Sequence, residues 1–286
     1  MVVVGNLVAG GSGKTPLVLW IVEFLARRGW KPGIVSRGYG ARVESPRAAT
    51  IVSEAAEVGD EPALLARRAG CPVWVGPDRV ATIAAMRTAN PDVDVVVLDD
   101  GLQHYRLRRD VEIAVVDARL FGNGWMIPAG PLREPPSRLR SVDAVVTNGT
   151  DAVAGYAMRV EGSLARRATD SSDRRPLEAF RGQRVHAVAG IGDPRRFFAM
   201  LAAQGIDVVE HPFPDHHPFR PADLAFGDDA PVLMTEKDAV KLRGAGDPRW
   251  WIVPVHVQMD PAFAEWLASR LERLAARPEA ARGKRS

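Results

Sequence analysis

The sequence predicts an α/β protein: a mainly parallel sheet domain followed by a second, smaller α/β domain. Three observations predict it. Short runs rich in valine and isoleucine recur through the first half with amphipathic stretches between them, the pattern of strands buried on both faces by helices. The first run passes through a glycine-rich turn into a helical pattern, and beyond residue 184 a shorter strand and helix alternation resumes. A length of 286 residues fits two domains at ~100–200 residues each, and a hydrophobic share of 46% suffices for two cores.

In chain order, strands are expected at 2–4, 33–36, 49–52, 73–75, 95–98, 113–116 and 144–147, with helices at 14–28, 61–68 and 79–88. These make residues 1–150 the first domain. Residues 151–184 turn polar and charged, from Ser163 through Thr169, Asp170 and Ser171 to Arg175, and read as a connector. The second domain, 185–274, carries strands at 185–189, 206–209, 232–234 and 251–257 and helices at 194–203 and 261–274. Residues 275–286 have basic and small residues with no apolar face and read as a disordered tail.

The loop Gly10-Gly11-Ser12-Gly13-Lys14-Thr15 lies between a strand and a helix. There it has the composition that cradles nucleotide phosphates: backbone N–H groups wrap the anion, a lysine reaches the β/γ oxygens, and a hydroxyl takes a magnesium ion. The first domain is therefore P-loop NTPase-like, although the general pattern asks for glycine at the position of Val8. Partitioning and anion-pump ATPases carry a second lysine where this chain has Ala9, which argues against a dimerising ATPase. The buried run 95–98 delivers Asp99 and Asp100 at its C-terminal end, where ligands bind in open α/β sheets and where a carboxylate for magnesium belongs. Asp60 and Glu61 open a helix, either as ordinary first-turn acids or as a base and a magnesium-shell ligand. His211, His216 and His217 occupy a proline-rich segment without metal-ligand spacing; a histidine there that meets a carboxylate across the interdomain cleft is the better functional reading. Gly190-Ile191-Gly192 lacks the third glycine of a dinucleotide fingerprint and reads as a tight turn with Asp193 capping the next helix. Thr235-Glu236-Lys237-Asp238 reads as a helix start with a possible base contact.

The remaining features bound the function. The net charge of +3 does not point to nucleic acid, and no nucleic-acid or obligate protein partner is expected. The single cysteine, Cys71, makes neither an internal disulfide nor a thiolate cluster. No apolar run approaches the ~18–20 residues of a spanning helix, and the N-terminus lacks a secretory pattern, so a cytoplasmic location is expected.

Taken together, these motifs resemble the tetraacyldisaccharide 4′-kinase family. The resemblance runs from Val4-Gly5-Asn6 and the phosphate loop through Ser36-Arg37-Gly38-Tyr39-Gly40, Gly59-Asp60-Glu61-Pro62, Gly76-Pro77-Asp78-Arg79 and Asp99-Asp100-Gly101-Leu102-Gln103-His104. It continues through Pro128-Ala129-Gly130-Pro131-Leu132-Arg133-Glu134-Pro135, Phe213-Pro214-Asp215-His216 and Thr235-Glu236-Lys237-Asp238. That family's loop also lacks the first glycine. The resemblance implies that Lys14 and Thr15 handle the phosphates of ATP and Mg2+, with Asp99 and Glu61 completing the metal shell. It also implies that Asp60 is the base on a sugar 4′-hydroxyl, oriented by His216, and that Asp100, Gln103, Arg79, Arg133 and Glu134 line the cleft. The implied acceptor is an acylated glucosamine disaccharide 1-phosphate, met peripherally at the cytoplasmic face of the inner membrane. The competing classes are a switch-type nucleoside triphosphatase and a kinase or ligase acting on a soluble substrate.

Overall fold

The structure, a computed structural model, describes residues 1–242 and 246–276. The first body is built from β1 (Val2–Gly5), α1 (Lys14–Arg27), β2 (Pro32–Ser36), β3 (Arg47–Ala49), α2 (Ala55–Val58), α3 (Asp60–Arg68), β4 (Val73–Val75), α4 (Arg79–Ala89), β5 (Val95–Asp99), β6 (Val111–Asp117), β7 (Ala144–Asn148) and β8 (Tyr156–Glu161). The second contains β9 (Leu164–Arg167), β10 (Arg174–Pro176), β11 (Arg184–Ala189), α5 (Pro194–Ala202), β12 (Asp207–Pro212), β13 (Val232–Thr235), α6 (Glu236–Ala239) and β14 (Trp250–Val253). The chain then returns to the first body as β15 (His256–Met259) and α7 (Pro261–Ala275).

The larger sheet has nine strands in the order β15-β8-β7-β6-β1-β5-β2-β4-β3. Its seven inner strands are parallel, and antiparallel β3 and β15 close the edges. Alternate side chains of β1 serve opposite cores: Val2 and Val4 pack on the α1 side, Val3 on the α4 side with Ile83 and Met86. Full burial of both faces is why these strands read as unbroken valine runs. The second sheet has the order β10-β9-β14-β13-β11-β12, with β14, β13, β11 and β12 parallel.

Three expectations on boundaries are corrected. The run 49–52 is a strand only to Ala49; Ile51 and Val52 are exposed in a turn closed by Ser53 N–H to Thr50 O at 3.0 Å. The run 251–257 is two strands, because Pro254, without an N–H, stands where the chain leaves one sheet for the other. The proposed connector 151–184 contains three strands: β8 completes the first sheet and β9 and β10 start the second. Its polar run 168–173 forms the turn between β9 and β10, and the strands hold arginines beside the buried Met158 and Ala165, which is why composition alone reads as linker. The tail expected at 275–286 begins at the last residue of α7, and residues 277–286 lie outside the described residues.

The second body is thus inserted between β8 and β15. The two crossings run side by side as one antiparallel ribbon, β8 against β15 and β9 against β14. Helix α7 locks the returning end: Phe263 is fully buried, with ring centroids 5.6 Å from Trp20, 5.4 Å from Tyr156 and 5.6 Å from Trp266. Phe263→Ala is therefore expected to lower the unfolding free energy by about 3–5 kcal/mol; a urea transition shifted by less than ~1 kcal/mol would show that this helix does not anchor the sheet.

Candidate active site

The phosphate loop connects β1 to α1 at the C-terminal ends of the parallel strands. Gly10 and Gly13 take left-handed φ values of 98° and 97°. A Cβ on Gly13 would lie 2.5 Å from Nδ2 of Asn148, whose amide donates to Ser12 O at 3.0 Å from the end of β7. Val8 stands where the usual pattern has its first glycine, in a segment that is braced from outside. Ala9 N–H donates to Pro131 O at 2.8 Å, Arg133 N–H donates to Leu7 O at 2.7 Å, and Val8 packs on Leu132. The first turn of α1 holds no acidic residue, which leaves its N–H groups and dipole open to an anion. Lys14 is buried and donates from Nζ to Asn6 Oδ1 at 3.1 Å, 3.6 Å from Asp100 Oδ1.

The two acids that end β5 differ in environment. Asp100 turns out at φ 55° and accepts from Arg133 at 2.8 Å on both oxygens. Burial would raise its carboxyl, but Lys14 and Arg133 outweigh it and hold the group below its ordinary value. Asp99 is buried with Oδ1 unpartnered; burial first, then the charges of Glu61 and Asp100, push it up to about 7 against the pull of Lys14 and Arg79. A buried carboxylate short of positive charge, beside the hydroxyl-bearing phosphate loop, suits a divalent cation. Among the described residues no three acidic, histidine or cysteine side chains converge as a self-sufficient metal cluster.

Asp60 stands at the N-terminus of α3. It is placed there by Gly59, whose φ is 94° and whose Cβ position would fall 2.7 Å from Tyr39 O. Its carboxylate is buried and meets His216 of the second body: Nδ1 lies 2.9 Å from Oδ2 and 3.1 Å from Oδ1. Lys241 Nζ is 3.6 Å away and Lys237 Nζ 4.0 Å, the latter also 3.2 Å from Glu61 and 3.3 Å from Asp215. Burial would raise the Asp60 carboxyl, but the His216 hydrogen bond and the charges of Lys237, His216 and Lys241 bring it below the ordinary range. The same hydrogen bond raises the His216 imidazole. Burial disfavours the Lys237 ammonium, yet Glu61, Asp60 and Asp215 raise its pKa above the usual lysine value. His217 turns away to Asp223, at 3.2 Å, and His211 pairs with His186 at 2.9 Å.

The other expected cleft residues make contacts of their own. Gln103 donates to Glu134 at 2.7 Å and to Asn6 O at 3.2 Å, and Glu134 also accepts from Tyr105. Arg79 is buried, donates to Gly76 O at 2.7 Å, and has Nε and one terminal nitrogen unpartnered; burial and Arg37 lower it to about 10.

Sequence reasoning missed several contributors that arrive from the second body. Gly192 lies against the phosphate loop, its Cβ position 2.5 Å from Gly11 N, so the turn read at 190–192 is an interdomain contact. Arg196 on α5 donates to Asn148 Oδ1 at 2.9 Å. Asp193 precedes α5 but its side chain makes no capping bond, whereas Thr235 caps α6 by accepting from Asp238 N–H at 3.2 Å. Between the bodies a cavity of about 260 Å³ joins the loop to an apolar wall that includes Leu19, Leu64, Val160, Phe197 and Met200.

A phosphate loop, a carboxylate on the neighbouring strand and a second body meeting an acid beside them define a P-loop phosphotransferase. The profile of the family described as tetraacyldisaccharide-1-P 4′-kinase matches residues 1–272, and the chain belongs to that family. It is 54% identical over 278 residues to the tetraacyldisaccharide 4′-kinase of Alkalilimnicola ehrlichii, covering 96% of this chain and 83% of that protein. To the protein of that name from Azoarcus sp. it is 50% identical over 279 residues, covering 95% and 82%. A crystal structure of LpxK from Aquifex aeolicus in complex with ATP matches with a TM-score of 0.76 at 28% identity, covering 95% of this chain and 87% of that one.

The interdomain pair has a pH signature. The contribution of His216, whose pKa is raised, is complete below its ordinary value of 6.5 and is lost as pH rises through the folded value. That of Asp60, lowered from 3.8, is present above this value and fades as pH falls through the depressed one. In an NMR titration the imidazole of His216 is expected to titrate above 6.5 and to fall back in Asp60→Asn; an unchanged value in that variant would show that the carboxylate does not govern it.

Proposed function

We infer that this kinase transfers the γ-phosphate of ATP to the 4′-hydroxyl of tetraacyldisaccharide 1-phosphate in lipid A biosynthesis, giving lipid IVA. The observation that carries this reading is the family match over residues 1–272. The geometry supports specific roles. N–H groups of residues 10–15 and the Lys14 ammonium hold the β and γ phosphates, and the apolar cavity wall takes the base. Thr15, Asp99 and Glu61 would hold Mg2+, which when bound offsets the charge of the transferring phosphoryl group. Asp60 stays ionised at neutral pH and accepts the proton of the 4′-hydroxyl as its oxygen bonds to the γ-phosphorus and the bond from that phosphorus to the ADP oxygen breaks, while His216 Nδ1, within 3.1 Å of both carboxylate oxygens, fixes its orientation. A carboxylate of low pKa suffices because the transition state is loose and the hydroxyl loses its proton late. Asp100, Gln103, Arg79, Arg133 and Glu134 line the acceptor side. Among the described residues no helix is long and apolar enough to cross a membrane, and the lipid acceptor implies work at the cytoplasmic face of the inner membrane as a peripheral protein.

The test is transfer of labelled γ-phosphate from ATP to tetraacyldisaccharide 1-phosphate in detergent micelles. Wild-type protein is expected to phosphorylate it, and Asp60→Asn to lose about 10²–10⁴-fold in kcat with the KM for ATP retained. Absence of transfer by folded, ATP-binding protein would overturn the acceptor, and a variant within ~3-fold of wild type would overturn the base.

The two acids of β5 separate by the same assay. Asp99→Ala is expected to lose far more magnesium-dependent turnover than Asp100→Ala, because Asp100 is already neutralised by Lys14 and Arg133; an equal or reversed loss would reassign the metal ligand.

A further inference from the structure

Nine large apolar side chains are exposed among the described residues. Six of them, Tyr39, Val80, Tyr105, Trp125, Met126 and Ile127, lie just beyond the C-terminal ends of β2, β4, β5 and β6. Those four strands belong to one contiguous parallel stretch of the larger sheet, so their loops form one rim, the same rim that holds Asp60, Asp99 and the phosphate loop. The other three, Ile51, Val52 and Leu164, lie off this rim.

The most prominent feature is the loop after β6. Three consecutive side chains at its tip are 66% (Trp125), 43% (Met126) and 56% (Ile127) exposed. Scattered apolar residues on a surface are ordinary, but three in a row at the apex of one loop are not. The loop is a built hairpin. Leu132 N–H donates to Trp125 O at 3.1 Å, Ile127 N–H to Leu132 O at 2.8 Å, Gly130 N–H to Met126 O at 3.0 Å, and Trp125 N–H to the Asn123 side chain at 3.1 Å. Its base is tied to the phosphate loop through Pro131 and Arg133. Four of the six backbone groups of Trp125, Met126 and Ile127 are already paired, which lowers the cost of moving the tip into an apolar medium. Tryptophan at its apex is the side chain that favours the boundary between acyl chains and headgroups.

Charge on the same rim is complementary to an anionic surface. Arg37, Arg42 and Arg106 are exposed on the loops after β2 and β5 and have no ion-pair partner within 4.0 Å among the described residues. Of the acids there, Asp78 is committed to the N-cap of α4, accepting from Val80 N–H at 2.8 Å and Ala81 N–H at 3.2 Å. Glu44 is the remaining exposed acid on the loop after β2.

We propose that the hairpin tip Trp125-Met126-Ile127, flanked by Arg37, Arg42 and Arg106, docks this rim onto an anionic phospholipid bilayer and sets the mouth of the active site against the surface where an acylated acceptor resides. The proposal rests on the acceptor reading given under Proposed function. The tip enters the interface, the arginines contact lipid phosphates, and the acceptor's sugar rises into the cleft while its acyl chains stay in the bilayer. Binding of this kind is reversible, since three side chains supply far less buried apolar surface than a spanning helix.

The experiment uses the full chain with vesicles of phosphatidylethanolamine and phosphatidylglycerol, comparing wild type with Trp125→Ser/Met126→Ser/Ile127→Ser after thermal unfolding shows both folded. The variant is expected to bind vesicles at least about tenfold more weakly. Transfer to acceptor embedded in vesicles should fall in step, while transfer to a monomeric acceptor with shortened acyl chains is kept. Lipids brominated in the acyl chain should quench wild-type fluorescence more than that of Trp125→Phe. Equal vesicle binding by wild type and variant, or equal quenching of wild type and Trp125→Phe, would overturn the proposal. An equal loss on the monomeric acceptor would also overturn it, by showing that the tip acts on the sugar or nucleotide instead. Tip-dependent vesicle binding with no phosphorylation of either acceptor would overturn the acceptor reading and leave the docking surface standing.

Discussion

A buried carboxylate needs positive charge around it, and for Asp60 all of that charge comes from the other half of the molecule. His216, Lys237 and Lys241 belong to the second body, whereas Asp60 opens a helix of the first. Separating the bodies would strip the carboxylate of its partners, so the site and the arrangement of the two bodies stand or fall together. The neighbouring interactions follow the same line: Arg68 on α3 pairs with Glu236 on α6, and Glu61 with Lys237. Ion pairs at exposed positions contribute little, but these are sheltered between two packed surfaces, where the desolvation of each partner makes the match more selective.

Backbone conformation marks the same centre. Non-glycine residues with left-handed φ are uncommon, and of the three among the described residues two are Asp100 and His216. Asp100 bends away from Asp99 directly after the strand, which lets one acid face Arg133 and Lys14 while the other stays buried. His216 bends so that its ring, rather than that of His217, reaches Asp60; the next residue is thereby directed to Asp223. Each bend separates two adjacent and chemically similar side chains into different environments.

Much of this was legible in the residues. Valine-rich strands buried on both faces, the Gly-Lys-Thr loop at the head of a helix and an acidic pair ending a strand are local patterns with local causes, and they pointed to the larger sheet, Lys14 and the pair Asp99 and Asp100, whereas the choice of Asp60 came from the family resemblance. The residues left His211, His216 and His217 open, and the resemblance of Phe213-Pro214-Asp215-His216 to the family's pattern singled out His216. What stayed hidden depends on distant partners. The 151–184 segment looks like a linker because its short strands are rich in arginine, hold few apolar side chains, and are joined by turns of aspartate and serine. The return of β15 and α7 to the first sheet has no signature of its own, because an edge strand of four residues and an amphipathic helix would fit either body. Arg196 reaching Asn148, and Gly192 pressed on Gly11, are contacts between residues far apart in the chain that no motif announces. Val8 is the instructive case: the missing glycine is explained only by a strand-like segment 124 positions later that braces the loop.

The insertion of the second body between β8 and β15 also has a temporal meaning. During synthesis the ribosome delivers seven parallel strands of the larger sheet first, then the whole of the smaller body, and only afterwards the edge strand and helix that cover Trp20, Phe24 and Tyr156. The early part of the chain therefore waits, with one flank of its core uncovered, until β15 and α7 have followed the inserted body. While it waits, the inserted body can fold as a unit and bring its two ends together through the pairing of β9 with β14, which places β15 beside β8 as soon as it emerges. The smaller body acts in this way as an internal template for finishing the larger one.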